Sequence, residues 1–194
     1  MSLEAKLYKS YTVLEDKKAN SLYSQSWFGI ITRSGNLKLD PYETVLLVER
    51  GRIIVLNNSG EILPLMDIVG HFSKEIPQFL VNYLLYKDLR SRGYVVKQHK
   101  NESNYFVLYN RGAKPNNGRQ IALVVPMIEG SLFDIDAIDK IVSRAKKVAE
   151  QLLFAVIDSL GDVSYYSVKE LEFKKNIIKV NEMIVREDKD EILP

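Results

Sequence analysis

Three apolar runs follow one another in the middle of the chain: "YVVKQ" from Tyr94, "NYFVLYN" ending at Asn110, and "IALVVPM" from Ile121. Each has the length of a strand rather than a helix and is rich in β-branched and aromatic residues. Polar turns at 98–104 and 110–118 bound them, so the spacing predicts consecutive sheet strands. Next, "FDIDAIDKIVSRAKKVAEQLLFAVID" predicts a helix from about Asp136 to Gln151, with Ile138, Ile141, Val142, Ala145, Val148 and Ala149 on its buried side. It runs into the strand "LLFAVID", and the tight turn "SLGD" folds that strand back onto "VSYYSVKEL" as a hairpin. The order is β-β-β-α-β-β.

Upstream, "WFGIITRSGNLKLDPYE" predicts two short strands around Ser34, Gly35 and Asn36, then a helix starting near Asp40 and Pro41, where proline suits the first helical position. "TVLLVERGRIIVL" at 44–56 reads as an apolar run broken by Glu49, Arg50, Gly51 and Arg52, with a turn cluster "NNSG" at 57–60. Over 75–92, apolar groups at Phe79, Leu80, Tyr83, Leu84, Tyr86 and Leu89 keep close to the helical period, and Gly93 ends that helix behind Arg90 and Arg92. The fold class is α/β (α+β) in two small domains: an N-terminal α/β domain over 1–75, a connecting helix over 76–93, a C-terminal domain over 94–180 and a charged tail over 181–194.

The 194 residues, 46% hydrophobic and 27% charged, suit a globular chain. Without cysteine there is no disulfide framework and no thiolate chemistry. No apolar run reaches the roughly 20 residues of a membrane span and the N-terminus lacks a signal-peptide core, so a soluble cytoplasmic protein is expected. Net charge is only +2 but unevenly spread: residues 1–80 carry nine Lys or Arg against nine Asp or Glu, residues 81–120 eight against two, and residues 121–194 ten against fourteen. The basic middle segment is either a face for nucleic acid phosphate or an ordinary solvated surface.

The two histidines, His71 and His99, have no partner at metal-ligand spacing, and no metal or cofactor is expected. The glycine and serine motifs of serine hydrolases, P-loop enzymes and dinucleotide binders are missing. Asp134, Asp136 and Asp139 sit at a helix start, where acids cap exposed N–H groups and meet the positive dipole end.

Several ordered motifs carry a resemblance. "VLLVERGRI" at 45–53, "YKDLRSRGYVVK" at 86–97, "VLYNRG" at 107–112 and "AVIDSLGDVSYY" at 155–166 together resemble the archaeal tRNA-intron (tRNA-splicing) endonuclease family over roughly residues 44–168. The resemblance implies a C-terminal domain with a mixed sheet flanked by helices, restriction-endonuclease-like. It also implies metal-free RNA cleavage, in which a ribose 2′-OH attacks the adjacent phosphate to leave a 2′,3′-cyclic phosphate and a 5′-OH. Such a reaction needs a proton acceptor or orienter at the 2′-OH, an acid at the leaving oxygen and a cation for the developing charge.

The family uses Tyr, His and Lys for these tasks. Tyr109 matches the tyrosine, but the histidine position is Arg119 and the lysine position is Glu150. Arginine keeps its proton near neutral pH, and a carboxylate opposes the charge of the transition state. Lys146 and Lys147, a turn before Glu150, are the plausible substitutes. The resemblance therefore implies a structural subunit that forms a heterotetramer with a catalytic homologous subunit and acts on precursor tRNA. Arg111, Lys114, Arg119 and Arg144 are the cations expected to face RNA; the family's base-stacking arginine aligns with Ser143, beside Arg144, so that role is not transferred. Asp158 and Asp162 match acids that enter a basic cleft of the opposite dimer, with Leu160 where a third acid is usual, and Tyr165 and Tyr166 lie on the strand expected at the side-by-side interface. Two alternatives stay open: an active enzyme with a rearranged triad of Tyr109, Lys146 or Lys147 and His99, and a non-enzymatic RNA-binding or scaffold protein.

Overall fold

The computed structural model describes residues 2–99, 105–131, 141 and 151–168. The chain divides into two compact units, Met1–Tyr83 with Gly112–Gly118, and Leu84–Arg111 with Arg119 onward.

The first unit is built on a mixed five-stranded sheet of β1 (Leu3–Leu7), β2 (Thr12–Leu14), β3 (Ile30–Ile31), β4 (Leu37–Leu39) and β5 (Ile53–Leu56), in the order β3-β4-β2-β1-β5. Only β1 and β5 pair in parallel. Helices α1 (Asn20–Ser26), α2 (Pro41–Glu49) and α3 (Leu65–Glu75) accompany it, and α4 (Phe79–Ser91) begins in it. The hairpin around Ser34–Asn36 and the helix at Pro41 stand where the sequence places them. Asp40 caps α2 with a capping box: its carboxylate accepts from Glu43 N at 2.8 Å, and Glu43 Oε2 accepts from Asp40 N at 3.0 Å. Glu43 is buried because its other oxygen accepts from Gly29 N at 2.9 Å. Gly29 has φ +67°, and a Cβ there would lie 2.5 Å from the Lys38 carbonyl oxygen, so both conformation and space demand glycine. Tyr42 stacks on Phe79 at 5.1 Å between ring centroids, and Phe72 and Tyr83 extend that aromatic core at 5.8 and 6.3 Å from Phe79.

The helix expected over 75–92 is α4, which starts at Phe79 and ends at Ser91; α3, which ends at Glu75, was not predicted. Ile76 precedes Pro77, and the proline ring drives it out of the helical region to φ −123°, ψ 113°, which ends α3. The expected apolar face of α4 is also corrected. Leu80 and Leu84 point outward, 54% and 37% exposed, while Asn82 and Arg90 are buried beside Phe79, Tyr83, Tyr86 and Leu89. The stripe through 79, 82, 83, 86 and 90 fits the helical period better than one that includes both outward leucines.

The second unit holds another mixed five-stranded sheet, of β6 (Tyr94–Gln98), β7 (Phe106–Arg111), β8 (Gln120–Ile128), β9 (Gln151–Ile157) and β10 (Val163–Val168), in the order β10-β9-β8-β7-β6. Pairings are antiparallel except β8 with β9, the crossover in which Ile141 is helical and buried. The five strands follow one another as expected, and the class is mixed α+β. Val107, Leu123, Val125, Ile141 and Leu152 form one core cluster of the unit, with Tyr109 packed against it. The remainder of the helix expected over 136–151, and the tail, lie outside the described residues.

Candidate RNA-processing site

Tyr109 sits where the ladder of β7 breaks on both sides. Toward β6, Tyr94 pairs with Arg111 and Val95 with Tyr109, so Asn110 is the extra residue. Toward β8, Leu108 pairs with Ala122 and Tyr109 with Gln120, so Ile121 is the extra one. Bulges twist a strand locally and re-aim side chains; two flanking one tyrosine leave it half-buried against the core cluster, and that burial raises its phenol above the usual tyrosine range.

Arg119 immediately precedes β8, and Asn110 clamps it. Asn110 Oδ1 accepts from Arg119 N at 2.8 Å, and Asn110 N donates to the Arg119 carbonyl at 3.1 Å. Backbone and side chain of one residue thus close the neck of the β7–β8 loop and fix the arginine's main chain beside Tyr109, with the Arg119 side chain exposed. Asn110 was not singled out in the sequence, although an asparagine inside "YNRG" is the residue type whose short amide competes for nearby backbone. Arg111 is also exposed, its guanidinium carbon 5.0 Å from the Tyr94 ring centroid, a cation–π contact that orients it. Lys114 is exposed in the segment that belongs to the first unit. There Lys114 N donates to Asn117 Oδ1 and Asn117 N to the Lys114 carbonyl, both at 3.1 Å, around a Pro115 turn.

The two histidines stand apart from this arrangement. His71 Nε2 lies 3.1 Å from the carbonyl oxygens of both Tyr8 and Lys9 in the first unit. His99 pairs its backbone N with the Tyr105 carbonyl at 2.8 Å, four residues along the chain from Tyr109, or about 13 Å at strand rise. Glu150, Arg144, Ser143, Lys146, Lys147 and the three aspartates at 134–139 lie outside the described residues.

At the β9–β10 turn, Asp158 is occupied within the turn: its Oδ1 accepts from Leu160 N at 2.8 Å and Asp162 N at 2.9 Å. Asp162 is exposed, and Leu160 at the tip is 87% exposed. Tyr165 turns to its own unit, donating to Asp88 Oδ2 at 2.5 Å, and the same oxygen accepts from Arg92 Nε at 2.8 Å. Tyr166 is half-buried on β10, the edge strand of this sheet.

The second unit is thus a mixed α+β fold that sets a bulged tyrosine beside an exposed, clamped arginine ten residues on. Residues 79–165 match the tRNA intron endonuclease catalytic C-terminal domain, and residues 3–69 match the tRNA intron endonuclease N-terminal domain. A tRNA-splicing endonuclease of Thermococcus onnurineus is 35% identical over 172 residues, covering 88% of this chain and 98% of that protein. The Pyrococcus furiosus enzyme of the same name is 32% identical over 158 residues, 81% of this chain and 89% of its own length. A tRNA-splicing endonuclease of Methanococcoides burtonii is 29% identical, and the matched region is 48% of its length. This chain belongs to the tRNA-intron endonuclease family. No helix among the described residues is long and apolar enough to cross a membrane.

Proposed function

We propose that this chain is the structural subunit of a tRNA-splicing endonuclease, assembled with a catalytic homologue into a heterotetramer and helping to hold precursor tRNA while the partner cuts. The observation that carries the reading is the exposed Arg119, clamped beside Tyr109 where the family's histidine is expected. An arginine can bind a phosphate oxygen but does not return a proton to a leaving alkoxide at neutral pH. Tyr109, whose proton burial holds more tightly, is a poor base there. With a carboxylate at position 150, the group matched to the family's transition-state cation has the wrong sign.

A rearranged triad that draws on His99 finds no support in a strand that puts about 13 Å of backbone between it and Tyr109. The test is cleavage of a bulge-helix-bulge RNA by the purified chain, by a partner carrying Tyr, His and Lys, and by the two together. Activity that needs both, and survives Tyr109→Phe in this chain, supports the structural role. Cleavage by this chain alone overturns it.

A further inference from the structure

The β7–β8 loop carries Lys114 and leads directly into Arg119, yet it is packed rather than free. Ala113 is 2% exposed although Gly112 and Lys114 on either side of it are exposed. Gly118 is in contact with the indole of Trp27: a Cβ built on it would lie 2.1 Å from Cζ3, 2.9 Å from Cη2 and 3.2 Å from Cε3. Unlike most glycines of this chain, Gly118 is not held at positive φ. Space, not backbone conformation, is what requires glycine there.

The other half of the contact is strained. Trp27 follows α1 with φ 50° and ψ 43°, in the left-handed region that bulky side chains avoid. Its N donates to the Tyr23 carbonyl at 2.9 Å, Phe28 N to the Leu22 carbonyl at 3.1 Å, and two residues on, Glu43 holds Gly29 N. A helix end that glycine would make without strain is instead made by the chain's single tryptophan, pinned from both sides.

We infer that Trp27 is a positioning residue for RNA binding. Seated on Gly118, its indole sets the backbone that presents Lys114, and this cation takes a phosphate of the precursor RNA. The inference rests on the proposed role in handling precursor tRNA, and its experiment separates the two.

In the full chain without RNA, Trp27→Ala raises amide exchange at Lys114 and Asn117 about tenfold while the global unfolding midpoint of the sheets holds. Trp27→Phe gives an intermediate value, and Gly118→Ala shifts the emission of the lone tryptophan. Unchanged exchange in Trp27→Ala, with unchanged emission in Gly118→Ala, overturns the positioning role whatever the RNA does.

In the reconstituted complex, Trp27→Ala and Gly118→Ala each weaken binding of a bulge-helix-bulge RNA about threefold to tenfold, leave the partner's single-turnover rate on bound RNA unchanged, and reduce the salt dependence of binding. Gly118→Ala combined with Trp27→Leu recovers much of the affinity, because the smaller side chain makes room for the added methyl. Affinity equal to wild type in both single variants overturns the link to RNA. If the wild-type complex binds no better than its catalytic subunit alone, the subunit reading falls while the exchange measurement still decides what Trp27 does.

Discussion

Asp88, Arg92 and Tyr165 make a test of how the edge strand β10 is fastened. One carboxylate oxygen of Asp88 accepts from the Tyr165 hydroxyl at 2.5 Å and from Arg92 Nε at 2.8 Å, and the Arg92 guanidinium carbon lies 5.6 Å from the Tyr165 ring centroid. A hydrogen bond to a charged acceptor contributes about 1.5–3 kcal/mol. The Asp88 and Arg92 side chains remain 31% and 25% exposed, which puts the expected value at the low end. Tyr165→Phe should then cost about 1.5 kcal/mol, since Asp88 keeps Arg92. Asp88→Ala should cost more, about 2.5–3 kcal/mol, because it also removes the i,i+4 ion pair and leaves the tyrosine hydroxyl without its acceptor. The double variant should fall short of the sum by about 1 kcal/mol or more. Urea unfolding followed by circular dichroism measures all four proteins, with a constant m-value showing that the unfolded reference has not moved. Costs that add within about 0.3 kcal/mol would refute the shared-acceptor argument and leave Tyr165 as packing alone.

Burial pushes the Tyr42 phenol up to about 12, so its stabilising contribution is complete below about pH 10 and is lost as pH climbs through about 12; alkaline unfolding should show a loss of roughly 2–3 kcal/mol that Tyr42→Phe removes. Glu43→Ala, which strands the N–H groups of Gly29 and Asp40, should cost about 2–3 kcal/mol in thermal or urea unfolding, with Glu43→Gln, which keeps one good acceptor, losing about half as much. Within the reconstituted complex, Arg119→Ala should lower the slope of log affinity against log salt by about 0.7–0.9, the loss of one phosphate contact, as read by titration across salt concentrations.

What could be read from the chain beforehand divides along physical lines. The sheet of the second unit was legible because its strands are β-branched and aromatic runs between strong turn residues, and the "SLGD" hairpin and Asp40–Pro41 helix start because their chemistry is local. Strands β1 and β2 were not, since "LEAKL" and "TVL" are short and their burial is created by pairing with segments as distant as Ile53–Leu56 and Leu37–Leu39. The start of α4 at Phe79 rather than at 75 hung on Pro77, which fixes Ile76 in an extended conformation that periodicity alone does not register. At the site, Tyr109 and Arg119 were picked out through the family resemblance, by the "VLYNRG" motif and the position ten residues on. The clamp by Asn110 and the contact of Trp27 with Gly118 were not, because each depends on which backbone amide or face a distant fold brings within reach.

The proposed heterotetramer would draw its pH dependence from the partner, for a reason that lies at the same site. Burial raises the Tyr109 phenol, and a guanidinium side chain offers a phosphate charge rather than a transferable proton, so the proton transfer that a histidine performs between about pH 5 and 8 is not filled at position 119. Phosphate binding by such a pair is constant across that range, while general acid catalysis by a histidine is not. The proposed subunit, with arginine in place of the family's histidine, would hold RNA equally well on both limbs of the partner's pH profile. On that reading the rate should follow the partner's titrating groups alone, and substitutions at Tyr109 or Arg119 in this chain should move affinity without moving either limb, as pH profiles of the reconstituted complex would measure.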